Sequence, residues 1–103
     1  MPDKRLVKAV DETHEISRKR GNGKLRREVW VDAGGRVVRY NLAYINHDIH
    51  RGDNGRVVGY DSGHGAHHHH YMGRTTPVAF SSFEDIEAQF EAETAKFLKR
   101  RLK

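Results

Sequence analysis

Glycine-centred breaks constrain this chain more than any other feature. Gly21-Asn22-Gly23 and Ala33-Gly34-Gly35 bracket the run Lys24–Asp32, and Asp53-Asn54-Gly55 and Ser62-Gly63-His64-Gly65-Ala66 bracket Arg56–Asp61. Gly and Asn accept positive φ, so these clusters mark turns between strands. Closely spaced hairpins lay consecutive strands side by side and antiparallel, which points to a meander.

The runs between the breaks carry strand signals. In Lys24–Asp32, Leu25, Val29 and Val31 share one face with Arg27, while Arg26, Glu28, Trp30 and Asp32 share the other. This is period-two alternation with β-branched and aromatic content. Arg36–Asn46 is almost continuously apolar, with Val37, Val38, Tyr40, Leu42, Ala43, Tyr44 and Ile45, and predicts a central strand covered on both faces. The polar stretch 46–55 predicts a long hairpin loop. Arg56–Asp61 is another strand and His67–Met72 a fifth strand or an ordered loop, in a predicted sheet that spans residues 14–72 in about five strands. Leu6, Val7, Ala9 and Val10 fit a strand, a helical turn or a loose segment, and the pattern of residues 1–12 does not decide among these.

After the sheet comes one amphipathic helix, predicted over 82–102. Ser81 and Ser82 offer N-caps, each three residues ahead of an acid. Phe83, Ile86, Phe90, Thr94, Phe97, Leu98 and Leu102 recur at three- and four-residue spacing and form one apolar stripe. Acids fill the start of this segment and bases its end, matching the helix macrodipole. The stripe needs a surface, and the upstream sheet supplies it. The expected fold class is α+β: a curved antiparallel meander with a C-terminal helix on one face, in a single domain of 103 residues.

Composition narrows the function classes. There is no cysteine, so neither a disulfide framework nor a thiolate metal site is available. No apolar run reaches the ~18 residues of a membrane span, and the first residues lack the apolar region of a signal peptide, so a cytoplasmic protein is expected. The formal charge is +5. It concentrates in Arg18, Lys19, Arg20, Lys24, Arg26, Arg27, Arg36 and Arg39, opposed only by Glu28 and Asp32. Such an excess favours phosphate or an acidic protein surface as partner, a nucleic acid or other polyanion, with solubility as the plainer reading.

The segment Tyr60-Asp61-Ser62-Gly63-His64-Gly65-Ala66-His67-His68-His69-His70-Tyr71 holds five of the eight histidines. Histidine changes charge near neutral pH and serves proton transfer, metal binding or phosphate contact. If Ser62–Ala66 is a five-residue loop, Tyr60, His68 and His70 share one face and Asp61 lies beside His67 on the other. Three readings stand. In the first, His68, His70 and Tyr60 or Tyr71 move protons in metal-free phosphodiester cleavage, Asp61 orients one histidine, and Arg74 or an arginine of the basic stretch stabilises the phosphorane. In the second, His68, His70 and Asp61 hold a divalent metal such as zinc, nickel or iron. In the third, the histidines are structural. His47, Asp48 and His50 form a second cluster in the polar stretch, where solvated loop residues are the simpler reading. Trp30 either stacks a base or is partly covered by its neighbours.

The order Val38-Arg39-Tyr40-Asn41-Leu42-Ala43-Tyr44, Arg56-Val57-Val58-Gly59-Tyr60-Asp61, His68-His69-His70-Tyr71, Pro77-Val78-Ala79-Phe80 and Phe83–Phe90 resembles the TumE-like toxin family over about Val38 to Phe97. The resemblance implies the toxin of a type II toxin–antitoxin pair, acting on RNA or translation and held inactive by an antitoxin with a helix-turn-helix. Tyr60, Asp61, His68, His70 and Tyr71 fall on the family's motif. An acid commonly precedes the family's His-x-His where this chain has His67, and Asp61 is the nearest substitute. The expectation is a cofactor-free ribonuclease that binds RNA through Arg18–Arg39, with a metal-binding or non-enzymatic partner of a DNA-binding regulator as the alternative. Long exposed strands also allow a homodimer.

Overall fold

A computed structural model describes residues 6–63 and 66–98. Six antiparallel strands follow one another in sheet order: β1 (Val7–Glu15), β2 (Lys24–Val31), β3 (Val37–Ile45), β4 (Arg56–Gly63), β5 (Ala66–Tyr71) and β6 (Arg74–Pro77). A single helix, α1 (Phe83–Ala95), packs on β3 and β4. The α+β meander is the architecture expected, with six strands rather than five.

The two edge strands, β1 and β6, are the ones that the sequence pattern left least defined. β1 takes residues whose own pattern is ambiguous, because β2 offers a ladder from Val7↔Val31 to Glu15↔Lys24. β6 is only four residues long and fully exposed, so it carries no burial pattern to read. It is joined to β5 by the two-residue turn Met72–Gly73, both with positive φ, the geometry that suits the twist of a tight hairpin.

The two faces of the sheet differ completely. One packs under α1, where Val29, Tyr40, Leu42, Tyr44, Val58, Tyr60, Ile86 and Phe90 form the buried core. Burying Ile86 and Phe90 stabilises by roughly 1.5–3 kcal/mol per side chain. Among the described residues the opposite face carries no α-helix and is mostly charged and polar, with Trp30 and Ala43 as apolar exceptions and the short turn Asp53–Gly55 against one end. β3 is therefore not covered on both faces: its helix side is Tyr40, Leu42 and Tyr44, while Arg39 and Asn41 lie on the other.

Ser82 caps α1, its side chain accepting from the Asp85 N–H. The helix ends at Ala95, short of the expected 102; Lys99–Lys103 lie outside the described residues. The chain tightens there through Lys96 N–H to Glu93 O, Phe97 N–H to Thr94 O and Leu98 N–H to Ala95 O. The tighter turn brings Phe97 against Tyr44 and Tyr71, and Leu98 against Gly21. Gly23 is required at the β1–β2 connection: its φ is +90°, and a Cβ there would meet Ile45 O at 2.5 Å.

Candidate active site

The β4–β5 hairpin decides the site. Its ladder pairs Gly63 with Ala66, Ser62 with His67, Asp61 with His68, Tyr60 with His69 and Gly59 with His70. Only two residues separate the strands, not five, so the register differs by one from the expectation. A one-residue shift exchanges the faces of every side chain in one strand relative to the other. Asp61, His68 and His70 consequently share the open face, and Tyr60 joins His67, His69 and Tyr71 on the helix face. His64 lies outside the described residues.

On the open face Asp61 is the hub. Its Oδ2 meets His70 Nε2 at 2.7 Å, and its Oδ1 meets His68 Nδ1 at 3.3 Å. Arg56 Nη1 lies 3.5 Å from Oδ2, while Arg56 Nε and Nη2 are held by Asp53 at 2.8 and 3.0 Å. The arginine reaches Asp61 by lying across Gly59, where a Cβ would sit 2.6 Å from its Cδ. His70 is 9% exposed and has both ring nitrogens engaged, Nδ1 with Thr75 Oγ1 at 3.2 Å. His68 is partly exposed, and its Nε2 makes no hydrogen bond among the described residues. Asp61 thus orients one accessible imidazole and one fixed imidazole beside a guanidinium.

Tyr60, Tyr71 and Arg74 do not join this group. Tyr60 is buried on the helix face, donating to Glu93 Oε1 at 3.0 Å, and His69 Nε2 meets the same oxygen at 2.8 Å. Burial, reinforced by the Glu93 contact, raises the Tyr60 phenol above its usual range. Tyr71 packs its ring at a tilt against Phe97, and Arg74, its cross-strand partner in β6, shares that face. Tyr40 completes this side, with its hydroxyl 2.8 Å from His67 Nδ1; burial pushes its phenol up to about 12. All four consecutive histidines thus have a polar partner, two on each side of the sheet.

The predicted RNA-binding arginines and lysines do not form one patch either. Arg18, Lys19 and Arg20 make an exposed 3₁₀ turn between β1 and β2, followed by exposed Lys24. Arg27 lies on the helix face, paired with Glu87. Arg26 lies on the open face, but Asp11 at 2.6 Å and Glu28 at 3.0 Å hold it. Arg36 pairs with Asp32 in the β2–β3 turn. Alternation separates neighbours such as Arg26 and Arg27 to opposite faces, so a run of charge along a strand is not a surface of charge. Arg39 remains exposed on the open face, its guanidinium 4.9 Å from the centre of the Trp30 ring.

Glu28 ties these residues to Asn41, the cross-strand neighbour of Asp61. It accepts from Lys8 at 2.8 Å and from Asn41 Nδ2 at 2.9 Å, and those bonds hold its carboxyl below the usual range. Arg56 likewise holds Asp53 low. Trp30, Arg39, Asn41, Arg56 and Asp61 line one open depression of about 490 Å³. Arg56, Asp53 and Thr75 were invisible as site residues in the sequence, because an arginine at a strand start and an acid in a turn have ordinary explanations. His47 and Asp48 are exposed in the 46–55 loop, as expected for solvated residues, although His50 Nε2 is buried there without a partner.

Among the described residues no three His, Asp or Glu side chains converge in a metal-ligand arrangement. For His68, His70 and Asp61 to act as ligands, His70 would have to release Asp61 or Thr75. Fold and site define a class in their own terms: an α+β meander with a helix on one face and a carboxylate–histidine group on the other. Compared with known proteins, the chain matches no family model, no curated protein and no solved structure.

Proposed function

We propose that this protein is a small metal-independent endoribonuclease, the toxin of a type II toxin–antitoxin pair similar to the TumE-like family. The observation that carries the reading is Asp61 on His68 Nδ1, with His68 Nε2 unengaged and Arg56 alongside. In the scheme His68 Nε2 takes the 2′-hydroxyl proton, and the 2′-oxygen attacks phosphorus. The P–O5′ bond breaks, and the departing oxygen regains a proton from imidazolium through solvent. The products are a 2′,3′-cyclic phosphate and a 5′-hydroxyl. Arg56 balances the phosphorane charge, the role first expected of Arg74. His70, with both nitrogens engaged, is a positioning residue. The partner in this reading is a helix-turn-helix antitoxin, the compartment the cytoplasm, and the pairing edge of a homodimer the long strand β1.

The test is inducible expression in bacteria of the wild type, His68→Ala and the opposite-face control Tyr71→Phe, followed by growth and total RNA integrity. A positioned general base contributes about 10²–10⁴-fold, so His68→Ala should lose arrest and cleavage while Tyr71→Phe retains both. Cleavage unchanged in His68→Ala refutes the scheme. One observation favours a second reading, a binding module for a regulator: the burial and full bonding of His70 suit a structural role. Normal growth with intact RNA in the wild type would select it.

A further inference from the structure

The ribonuclease reading leaves open what form of RNA reaches His68, and the open face answers through Trp30. Trp30 is the only tryptophan in the chain and is half-buried on the uncovered side of β2. Its cross-strand neighbours on either side are Lys8 in β1 and Arg39 in β3, with Lys8 Nζ 5.0 Å and the Arg39 guanidinium 4.9 Å from the ring centre. Lys8 is tied to Asp11 and Glu28. Arg39 is exposed and has no ion pair among the described residues, so its guanidinium is open to solvent beside the indole. An indole backing a guanidinium is a stacking platform for a nucleobase, since bases stack on aromatic rings and on arginine planes alike.

The platform is continuous with Asp61. Trp30 and Arg39 are paired, Asn41 is two residues along β3, and Asn41 pairs with Asp61. Asn41 donates Nδ2 to Glu28, so its side-chain oxygen remains as an acceptor toward the depression. The depression, about 490 Å³, lies within the size range of small-molecule sites and has room for a base.

We infer that Trp30 and Arg39 form a base-stacking subsite that makes the substrate single-stranded RNA, with a stacked nucleotide laying its strand along the depression toward Arg56 and Asp61, the carboxylate that His68 contacts. The inference rests on the ribonuclease reading for its biological meaning but is measured independently of cleavage. In a duplex the base faces are covered by their neighbours, so only an unpaired base can extend the Trp30–Arg39 stack. The platform is sequence-tolerant because every base has a π-face.

The experiment uses the full chain with His68→Ala, to prevent turnover, and reads the fluorescence of Trp30 during titration. The probes are a single-stranded oligoadenylate, the same strand annealed to oligouridylate, and inorganic polyphosphate. The expected result is quenching by the single strand, at least about tenfold weaker binding of the duplex, and little quenching by polyphosphate. Arg39→Ala should weaken single-strand binding by about fivefold or more, since one stacked base contributes on that order. Duplex or polyphosphate binding equal to the single strand overturns the inference, as does an unchanged affinity in Arg39→Ala. If the wild type cleaves RNA but no probe quenches Trp30, the stacking subsite fails and the ribonuclease reading stands. If the single strand binds as expected and the wild type cleaves nothing, the subsite stands and the ribonuclease reading fails.

Discussion

Removing the Asp61 carboxylate separates what it does for stability from what it does for His68. In Asp61→Ala the largest loss is the 2.7 Å bond to His70 Nε2, because His70 is 9% exposed and has no second acceptor for that nitrogen. Stranding a buried polar group costs about 1–3 kcal/mol. The His68 and Arg56 contacts, at 3.3 and 3.5 Å and closer to solvent, add a few tenths to about 1 kcal/mol together. Water can enter from the open face and recover part of the cost, so the expected total is about 2 kcal/mol. For a domain of this size that lowers Tm by roughly 8–16 °C. Thermal and urea unfolding followed by circular dichroism measure it, with Asp61→Asn as the companion. Asn keeps a side-chain oxygen at the hub, so the loss should be about half as large, yet the imidazole of His68 is no longer held by a carboxylate and RNA cleavage should fall as far as in Asp61→Ala. A total loss below about 0.5 kcal/mol in Asp61→Ala would refute the account of Asp61 as the hub, and full cleavage in Asp61→Asn would refute its orienting role.

Other consequences follow from the same contacts. Glu93→Ala leaves the Tyr60 hydroxyl and His69 Nε2 without their shared acceptor beneath α1, and should cost about 1–3 kcal/mol in urea unfolding. Gly59→Ala places a methyl 2.6 Å from Arg56 Cδ and 3.2 Å from Leu42 O, so it should displace the arginine and destabilise by about 1–3 kcal/mol. In the Arg56→Ala background the same change should cost measurably less, a coupling read from the double-mutant cycle. At high pH, Tyr40 binds its proton more tightly folded, up to about 12, than unfolded, near 10. That stability is fully present below pH 10 and falls by up to about 1.4 kcal/mol per pH unit between 10 and 12. Tyr40→Phe should make the alkaline slope shallower in denaturation series taken from pH 9 to 11.5, leaving the part contributed by the raised phenol of Tyr60. On the acid side, the depressed carboxyl of Glu28 contributes stability above its unfolded range that is lost as pH falls through the folded value; Glu28→Gln should shallow the acid limb of the same series.

Much of this protein was already written along the chain. Glycine-centred turns and period-two runs specify antiparallel neighbours, and the Phe83, Ile86, Phe90 stripe behind a serine cap specifies a helix needing a sheet to cover. These signals are local, since backbone preference and side-chain alternation act within a few residues. The assignment of Val29 and Arg27 to one face of β2, and Arg26, Glu28 and Trp30 to the other, followed from that alternation alone. What lay beyond reach was pairing between strands. The length of the β4–β5 turn sets whether Asp61 stands with His68 and His70 or with His67, and a glycine-rich stretch admits both. Likewise β1 exists as a strand because β2 offers it a ladder, and Arg56 reaches Asp61 because Gly59 leaves the space between them. The residue types of the site were legible in the sequence, whereas register and close approach, which depend on atoms brought from elsewhere in the chain, gave each of them its face and its partner.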